Sequence, residues 1–403
     1  MTCIGVEKVD LQQRVLQEIK REEVVALTQE LVRIPSYYGV PGVETKVARF
    51  IADFLQREGI TAATEEIFEE RSNVYAALPG KAGGRSLLFC GHIDTVPPHN
   101  MEIEPFEAYL AEGKIYGRGA ADMKGGVAAM LVAMAALKRA GVQLSGDVRF
   151  AGVVGEESPN TSEGARALVE KGIKTDMAII GEATNLEIAA AHKGMEWLKI
   201  EVRGKAAHGS VPQNGINAIS KAAKIIQAIE TGVVPRLKQR IHPLVGSPTI
   251  NIGRIEGGVL NNIVPDSCWF SLDRRWIPGE TLEEVLSELQ AVIDGLHAED
   301  PELEAKIIQQ PETLGRGPME IESDHPLVLA LGHAVRQQLG KEPVVKGVVY
   351  WTDGAHLSRA GIPTVVFGPG DIAQAHAAVE FVETEQLFKA AQIYALTALE
   401  VCS

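Results

Sequence analysis

Short apolar runs set among helical stretches, each run ending sharply at a turn, restrict this chain more than any other feature. "SNVYAALPG", "SLLFCGHID", "GDVRFAGVVGEE" and "DMAIIGEA" are short runs bounded by turns, with helical spacing around them at 23–33, 43–58, 123–140 and 162–171. Apolar strands fed by helices predict an α/β architecture: a mostly parallel sheet sandwiched by helices. The 403 residues, 45% of them hydrophobic, exceed one typical domain and supply a sizeable core.

From about residue 195 the texture changes. "EWLKIEVRG" alternates, "NAISKAAKIIQAIE" is helical, "PTINIGRIEGG" and "SCWFSLDRRW" are strands, "TLEEVLSELQAVIDGL" is helical and "ELEAKIIQQ" is a strand. That βαββαβ order is the order of a ferredoxin-like sandwich. After residue 315 the first pattern resumes, with a helix at 326–339 and the strand "IPTVVFGPG". The expectation is a discontinuous domain of residues 1–194 and 313–403, interrupted at 195–312 by an inserted ferredoxin-like α+β domain.

A net charge of -14 argues against a nucleic-acid or anionic-membrane partner. Cys3, Cys90, Cys268 and Cys402 lie far apart with no CxxC pair, so reduced thiols in a cytoplasmic protein fit better than a disulfide framework or a cysteine zinc site. The first residues carry no apolar signal-peptide core, and "GGVAAMLVAMAALKRAG" reads as a buried core helix too short to span a bilayer.

The apolar runs end on ionisable residues. In "LLFCGHIDTVPP" a strand ends in His92 and Asp94, which strand alternation puts on one face. Glu156 and Glu157 end "DVRFAGVVGEE", Glu182 closes "MAIIGE", and His376 follows "TVVFGPG" after a short loop. Asp122 opens the helix after "GRGAADMKGG"; read alone it is a helix cap, as the paired glutamates alone are a solvated turn. Strand C-terminal ends in an α/β sheet gather at one edge, so together these residues converge. Carboxylates and imidazoles without thiolates suit zinc, cobalt or manganese in a hydrolytic site, with a bridging carboxylate holding two ions roughly 3.5–4 Å apart. Glu156, beside a ligand but pointing elsewhere, is then placed to act as a base.

In their order, "GHIDTVPP", "GRGAADMKGG", "GEES", "IIGEAT", "GKAAHGS", "NNIVPD" and "AQAHAAVEFV" resemble the signature of the di-zinc amidohydrolases that include acetylornithine deacetylase, succinyl-diaminopimelate desuccinylase and glutamate-releasing carboxypeptidases. The resemblance covers nearly the whole chain. It implies two divalent ions, zinc first, with His92 and Glu182 on one, Glu157 and His376 on the other, and Asp122 bridging. It implies that Asp94 orients His92 and that Glu156 is the general acid/base. It further implies that His208 reaches a neighbouring subunit's site to stabilise the oxyanion, and that Asn262 and Arg275, rather than Arg274, bind the substrate's polar backbone and carboxylate.

Two departures bear on specificity. Ala378 and Val379 stand where many relatives carry a polar residue or proline, and bulky Trp351 replaces a small residue two positions before Asp353. The leading expectation is a cytoplasmic, homodimeric, metal-dependent hydrolase of N-acyl amino acids or dipeptide-like amides. A carboxypeptidase or dipeptidase is the alternative in the same class, and a non-catalytic amino-acid- or metal-binding protein the alternative in another. Retention of Glu156 disfavours the last, because a binding protein needs ligands but no base.

Overall fold

The structure, a computed structural model, describes residues 3–40, 42–68, 70–81, 83–158, 162–313 and 315–403, with side chains from residue 10 onward. The chain forms two compact units: Met1–Ala191 with Met319–Gly347 and Thr352–Ser403, and His192–Pro318 with Val348–Trp351.

The first unit is built on a nine-stranded sheet in the order Thr61–Phe68, Arg71–Leu78, Val148–Val153, Leu87–His92, Met177–Ile180, Thr364–Val366, Ile188–His192 and Met319–Glu320, with Val345–Val348 also paired to Ile188–His192. The four strands from Val148–Val153 to Thr364–Val366 run parallel. Antiparallel pairing flanks them, from Thr61–Phe68 and Arg71–Leu78 on one side and Ile188–His192 on the other. Leu87–His92 and Met177–Ile180 are buried along their whole length, which is why they read as unbroken apolar runs.

Helix Gly125–Arg139 packs against Thr384–Val401, Arg21–Arg33 and the strand Leu87–His92. A Cβ at Gly126 would stand 2.0 Å from the Gly181 carbonyl oxygen, so only glycine lets this helix lie against the strand end that leads into Glu182. With the turn before it, the stretch Ala120–Arg139 spans 20 residues and is apolar enough to cross a membrane by length and composition. Length therefore does not exclude a span, contrary to the sequence expectation; its complete burial inside the unit accounts for its apolar face all round.

The second unit has a four-stranded antiparallel sheet in the order Thr249–Gly257, Ser267–Trp276, Gly194–Arg203 and Glu304–Gln309, which is the ferredoxin-like arrangement. Leu198, Ile200, Phe270 and Leu272 from the sheet pack with Ile225 and Leu289 from its helices. Ser267–Trp276 alternates between buried and half-buried positions, as a sheet covered on one face requires. Helix Leu282–Glu299 opens with a reciprocal capping box between Thr281 and Glu284. Val348–Trp351 belongs to this unit, although the sequence reading assigned it to the first. Its anchor is Trp351: the indole donates to the Gly317 carbonyl at 3.0 Å, the Arg316 guanidinium lies 4.7 Å over the ring, and His192 meets it edge-on at 6.4 Å.

Candidate metal centre

The four parallel strands share a direction, so their C-terminal ends emerge on one edge, and the ionisable residues that end the apolar runs emerge with them. His92 is the last residue of its strand; Glu156 and Glu157 follow Val148–Val153, Glu182 follows Met177–Ile180, and His376 lies beyond Thr364–Val366. Donor atoms of His92, Asp122 and Glu157 all fall within 4.8 Å of one another. His92 Nε2 stands 3.0 Å from both Asp122 Oδ1 and Glu182 Oε1. On the other side of the same aspartate, His376 Nε2 is 2.9 Å from Glu157 Oε1 and 3.6 Å from Asp122 Oδ2. Asp122 thus turns one oxygen to His92, which also meets Glu182, and the other to His376, which also meets Glu157.

Asp122 is not a helix cap. It lies three residues before the helix start at Gly125, with extended backbone (φ -123, ψ 93), and it makes no capping bond. Local conformation turns its carboxylate into the cluster instead.

His92 Nδ1 lies 3.0 Å from the backbone carbonyl of Asp94. A carbonyl only accepts, so Nδ1 carries a proton, and a cation that displaces the proton on Nε2 meets the Nε2 lone pair, the tautomer a metal ligand needs. The Asp94 carboxylate is farther away, 3.5 Å from Nδ1. It accepts instead from the backbone N–H groups of Glu156 and Glu157, at 3.3 and 2.9 Å. One residue therefore orients both the His92 ring and the turn that bears the paired glutamates.

That turn has a second support which the sequence reading passes over. Arg71 is buried in an ion pair with Glu44 and reaches the Ser158 hydroxyl at 3.4 Å. Gly155, at φ +84, begins the turn where a Cβ would come within 2.5 Å of Glu163 Oε2. Nothing in the sequence distinguishes Arg71 or Glu44 from surface charges, because their partners lie elsewhere in the chain.

The electrostatics fit a cation. Glu182 is pushed up to about 7, by burial first and then by the neighbouring Asp122 carboxylate. Burial, Asp122 and Glu156 likewise raise Glu157 well above the usual carboxylate range. Asp122 is held down at about 2, because His92 and His376 outweigh its burial. His92 is raised well above the usual imidazole value: burial opposes its charge, but the Glu182, Asp122 and Asp94 carboxylates prevail. Crowded carboxylates and a proton trapped among them are what a divalent cation relieves. Glu182 Oε2 is buried with no hydrogen-bond partner, a donor atom left for such an ion.

The remaining candidates lie in the second unit. A short antiparallel bridge joins His208 to Ile263, with Gly209 N–H donating to the Asn262 carbonyl at 2.7 Å, so the "GKAAHGS" and "NNIVP" segments are neighbours. His208 is exposed, and its Nδ1 lies 2.7 Å from the Ser210 hydroxyl and 3.2 Å from the Ser210 backbone N–H. Arg275 is partly exposed and pairs with Asp273 at 3.0 Å. Arg274 is fully buried and held by Glu280 at 2.9 Å, an ion pair that stays inside the fold.

The sequence profile of Peptidase family M20/M25/M40 matches residues 88–400. Acetylornithine deacetylase of Myxococcus xanthus is 32% identical over 86% of this chain and 90% of its own length. N-formyl-4-amino-5-aminomethyl-2-methylpyrimidine deformylase of Halalkalibacterium halodurans is 29% identical, with 91% of each chain covered. Among solved structures, the aminopeptidase PepT from Bacillus cereus superposes with a TM-score of 0.80 at 25% identity, covering 96% of this chain and 100% of that one.

Proposed function

The chain belongs to Peptidase family M20/M25/M40 and is a hydrolase of that family, and from that premise we propose that it cleaves the amide bond of N-acyl amino acids with two divalent cations, zinc first among them. The observation that carries this reading is the split of donors about Asp122, with the His92–Glu182 pair reached from one oxygen through His92 and the His376–Glu157 pair from the other through His376. When bound, the cations lower the pKa of a held water and polarise the scissile carbonyl.

Glu156 is the general base in this reading. It adjoins a ligand, and the hydrogen bond from its backbone N–H to Asp94 fixes the turn it sits on. It takes the proton of the attacking water and passes it to the departing amine. Arg275 and Asn262 receive the substrate's free carboxylate and polar backbone, a task the planar guanidinium suits.

The partner's His208 serves each site in a homodimer, its Nε2–H donating to the oxyanion of the tetrahedral intermediate. Support comes from the surface around it. Thr249–Gly257 is an edge strand on which Ile255 is 52% exposed, and Val259, Leu260 and Ile263 near the His208 bridge are exposed at 85%, 61% and 40%. An exposed edge with an apolar fringe is the kind of surface a second copy covers.

The kinship with a deacetylase and a deformylase favours small acyl groups, whereas the likeness to an aminopeptidase keeps peptide cleavage as the second reading. A panel of N-acetyl-, N-succinyl- and N-formyl-amino acids beside dipeptides, assayed for released amine with added zinc or cobalt, tests both. Turnover of the acyl compounds that a chelator abolishes is expected. Hydrolysis of dipeptides alone would transfer the site to the second reading, and no hydrolysis of any member would favour a binding protein.

A further inference from the structure

The segment that bears His376 is tied to the loop that bears Asp122 by a side chain to which the mechanism assigns no task. Glu380 is fully buried, and each carboxylate oxygen accepts two hydrogen bonds. Oε2 accepts from Arg118 Nη1 at 2.7 Å and from the Gly119 N–H at 3.0 Å. Oε1 accepts from the Ala121 and Asp122 N–H groups at 3.0 and 3.2 Å. The backbone adds two further ties, from Gly117 N–H to the Glu380 carbonyl at 3.0 Å and from Glu102 N–H to that of Ala378 at 2.9 Å. A buried carboxylate costs several kcal/mol unless paired and fully hydrogen-bonded, and four donors meet that requirement here.

What those donors are matters more than their number. Three are the backbone amides of Gly119, Ala121 and Asp122, beside a break where Gly119 is left-handed and Asp122 and Met123 leave helical φ/ψ. His376 lies four residues before Glu380, held in a left-handed conformation at φ 61. One side chain therefore fixes two donors that are remote in sequence, on the Glu157 side of Asp122.

We propose that Glu380 is a positioning residue of the metal centre, holding Asp122 and His376 in register through the amides of Gly119, Ala121 and Asp122, and that it governs the cation between Glu157, His376 and Asp122 more than the cation between His92, Glu182 and Asp122. The asymmetry follows from geometry: loosening Glu380 displaces two donors of the first cation and one of the second. This rests on the two-cation reading above.

The test is a cobalt titration of the full-length, metal-stripped protein against a chromophoric chelator, comparing wild type with Glu380→Gln. Glutamine has the same shape, but its amide nitrogen must confront one of the two donor pairs. Residues that support metal ligands typically change affinity by about 10–100-fold. One dissociation constant should rise by that factor while the other moves by less than about threefold. In a Glu182→Gln background, which disables the His92 side, the large factor should persist; in a His376→Ala background it should disappear. Hydrogen exchange of the cation-free protein should quicken over residues 117–124 in the variant. If Glu380→Gln does not fold, Glu380→Asp keeps the charge but withdraws it by one methylene, and the same asymmetry is expected at smaller size. Two wild-type constants in a folded variant, or equal weakening of both, would overturn the proposal while sparing the two-cation reading. A wild-type protein that binds a single cobalt would overturn both.

Discussion

The two units handle charge in opposite ways. The first gathers His92, Asp122 and Glu182 in near-complete burial at one end of a parallel sheet, with carboxylates displaced from their ordinary pKa. The second keeps most of its ion pairs near solvent, among them Lys199–Glu201, Arg254–Glu256 and Lys224–Asp300. Such pairs contribute about 0–1 kcal/mol each. Among the described residues its deeply buried Arg274 meets opposite charges, Glu280 at 2.9 Å and Glu288 at 3.8 Å. The distinction lies in the excess: at the first unit's strand ends the buried carboxylates outnumber the imidazoles and repel one another.

The comparison breaks most readily at Asp122. Asp122→Ala should release both cations and reduce turnover to background, whereas the wild type reconstituted with zinc should approach two ions per chain by elemental analysis; a wild-type plateau at one ion would remove the bridging role. Next, Glu156→Ala should lower kcat by about 10²–10⁴-fold with cations retained, and Glu157→Ala should instead lose metal. The reverse pattern would exchange the two roles.

A third experiment asks whether the second unit takes part in chemistry at all. Homodimers of Glu156→Ala and of His208→Ala should both be nearly inactive, and subunit exchange between them should restore about a quarter of wild-type activity, since half the dimers are mixed and each has one intact site. Verified exchange without recovery would leave His208 to its own chain or to no catalytic task.

Smaller effects sharpen the contrast. His192, fully buried against Trp351, is pushed down to about 4 by its burial, from an ordinary value of 6.5, the Lys193 carbonyl opposing only in part. Its folded pKa lies below its unfolded one, so the unfolded chain binds the extra proton. Stability is full above pH 6.5 and is lost as pH falls towards 4, by roughly 3 kcal/mol in all. Denaturant titrations of His192→Gln at several pH values should show that slope flattened. Smallest of all, Thr281→Ala removes the capping box of Leu282–Glu299 and should cost about 1 kcal/mol of stability, with kcat/KM unchanged.

The strand-end residues were legible because each lies at the abrupt end of an apolar run, a local signal, and parallel strands necessarily align such ends. The helix Pro326–Leu339 and the ferredoxin-like order were legible from periodicity. Arg71, Glu44, Arg118 and Glu380 were not, because a charge buried by a distant partner has the same letter as a solvated one. Asp122 read alone would pass for a cap, and only its company in the motif order marked it as a ligand, because the backbone that turns it inward is held by Glu380, far along the chain. The placement of Val348–Trp351 in the second unit depends on an indole contact that no local pattern announces.

The interleaving of the first sheet sets an order of events during synthesis. Thr364–Val366 lies between Met177–Ile180 and Ile188–His192, so a gap stays open in the centre of the sheet until nearly the whole chain has emerged. The second unit's sheet, by contrast, is made entirely of strands between Gly194 and Gln309 and can pair earlier. His376, Glu380 and the helix Thr384–Val401 arrive last. A nascent chain stalled before them would carry His92, Asp122, Glu157 and Glu182 without His376, so the cluster closes only after the last central strand has been threaded into its gap.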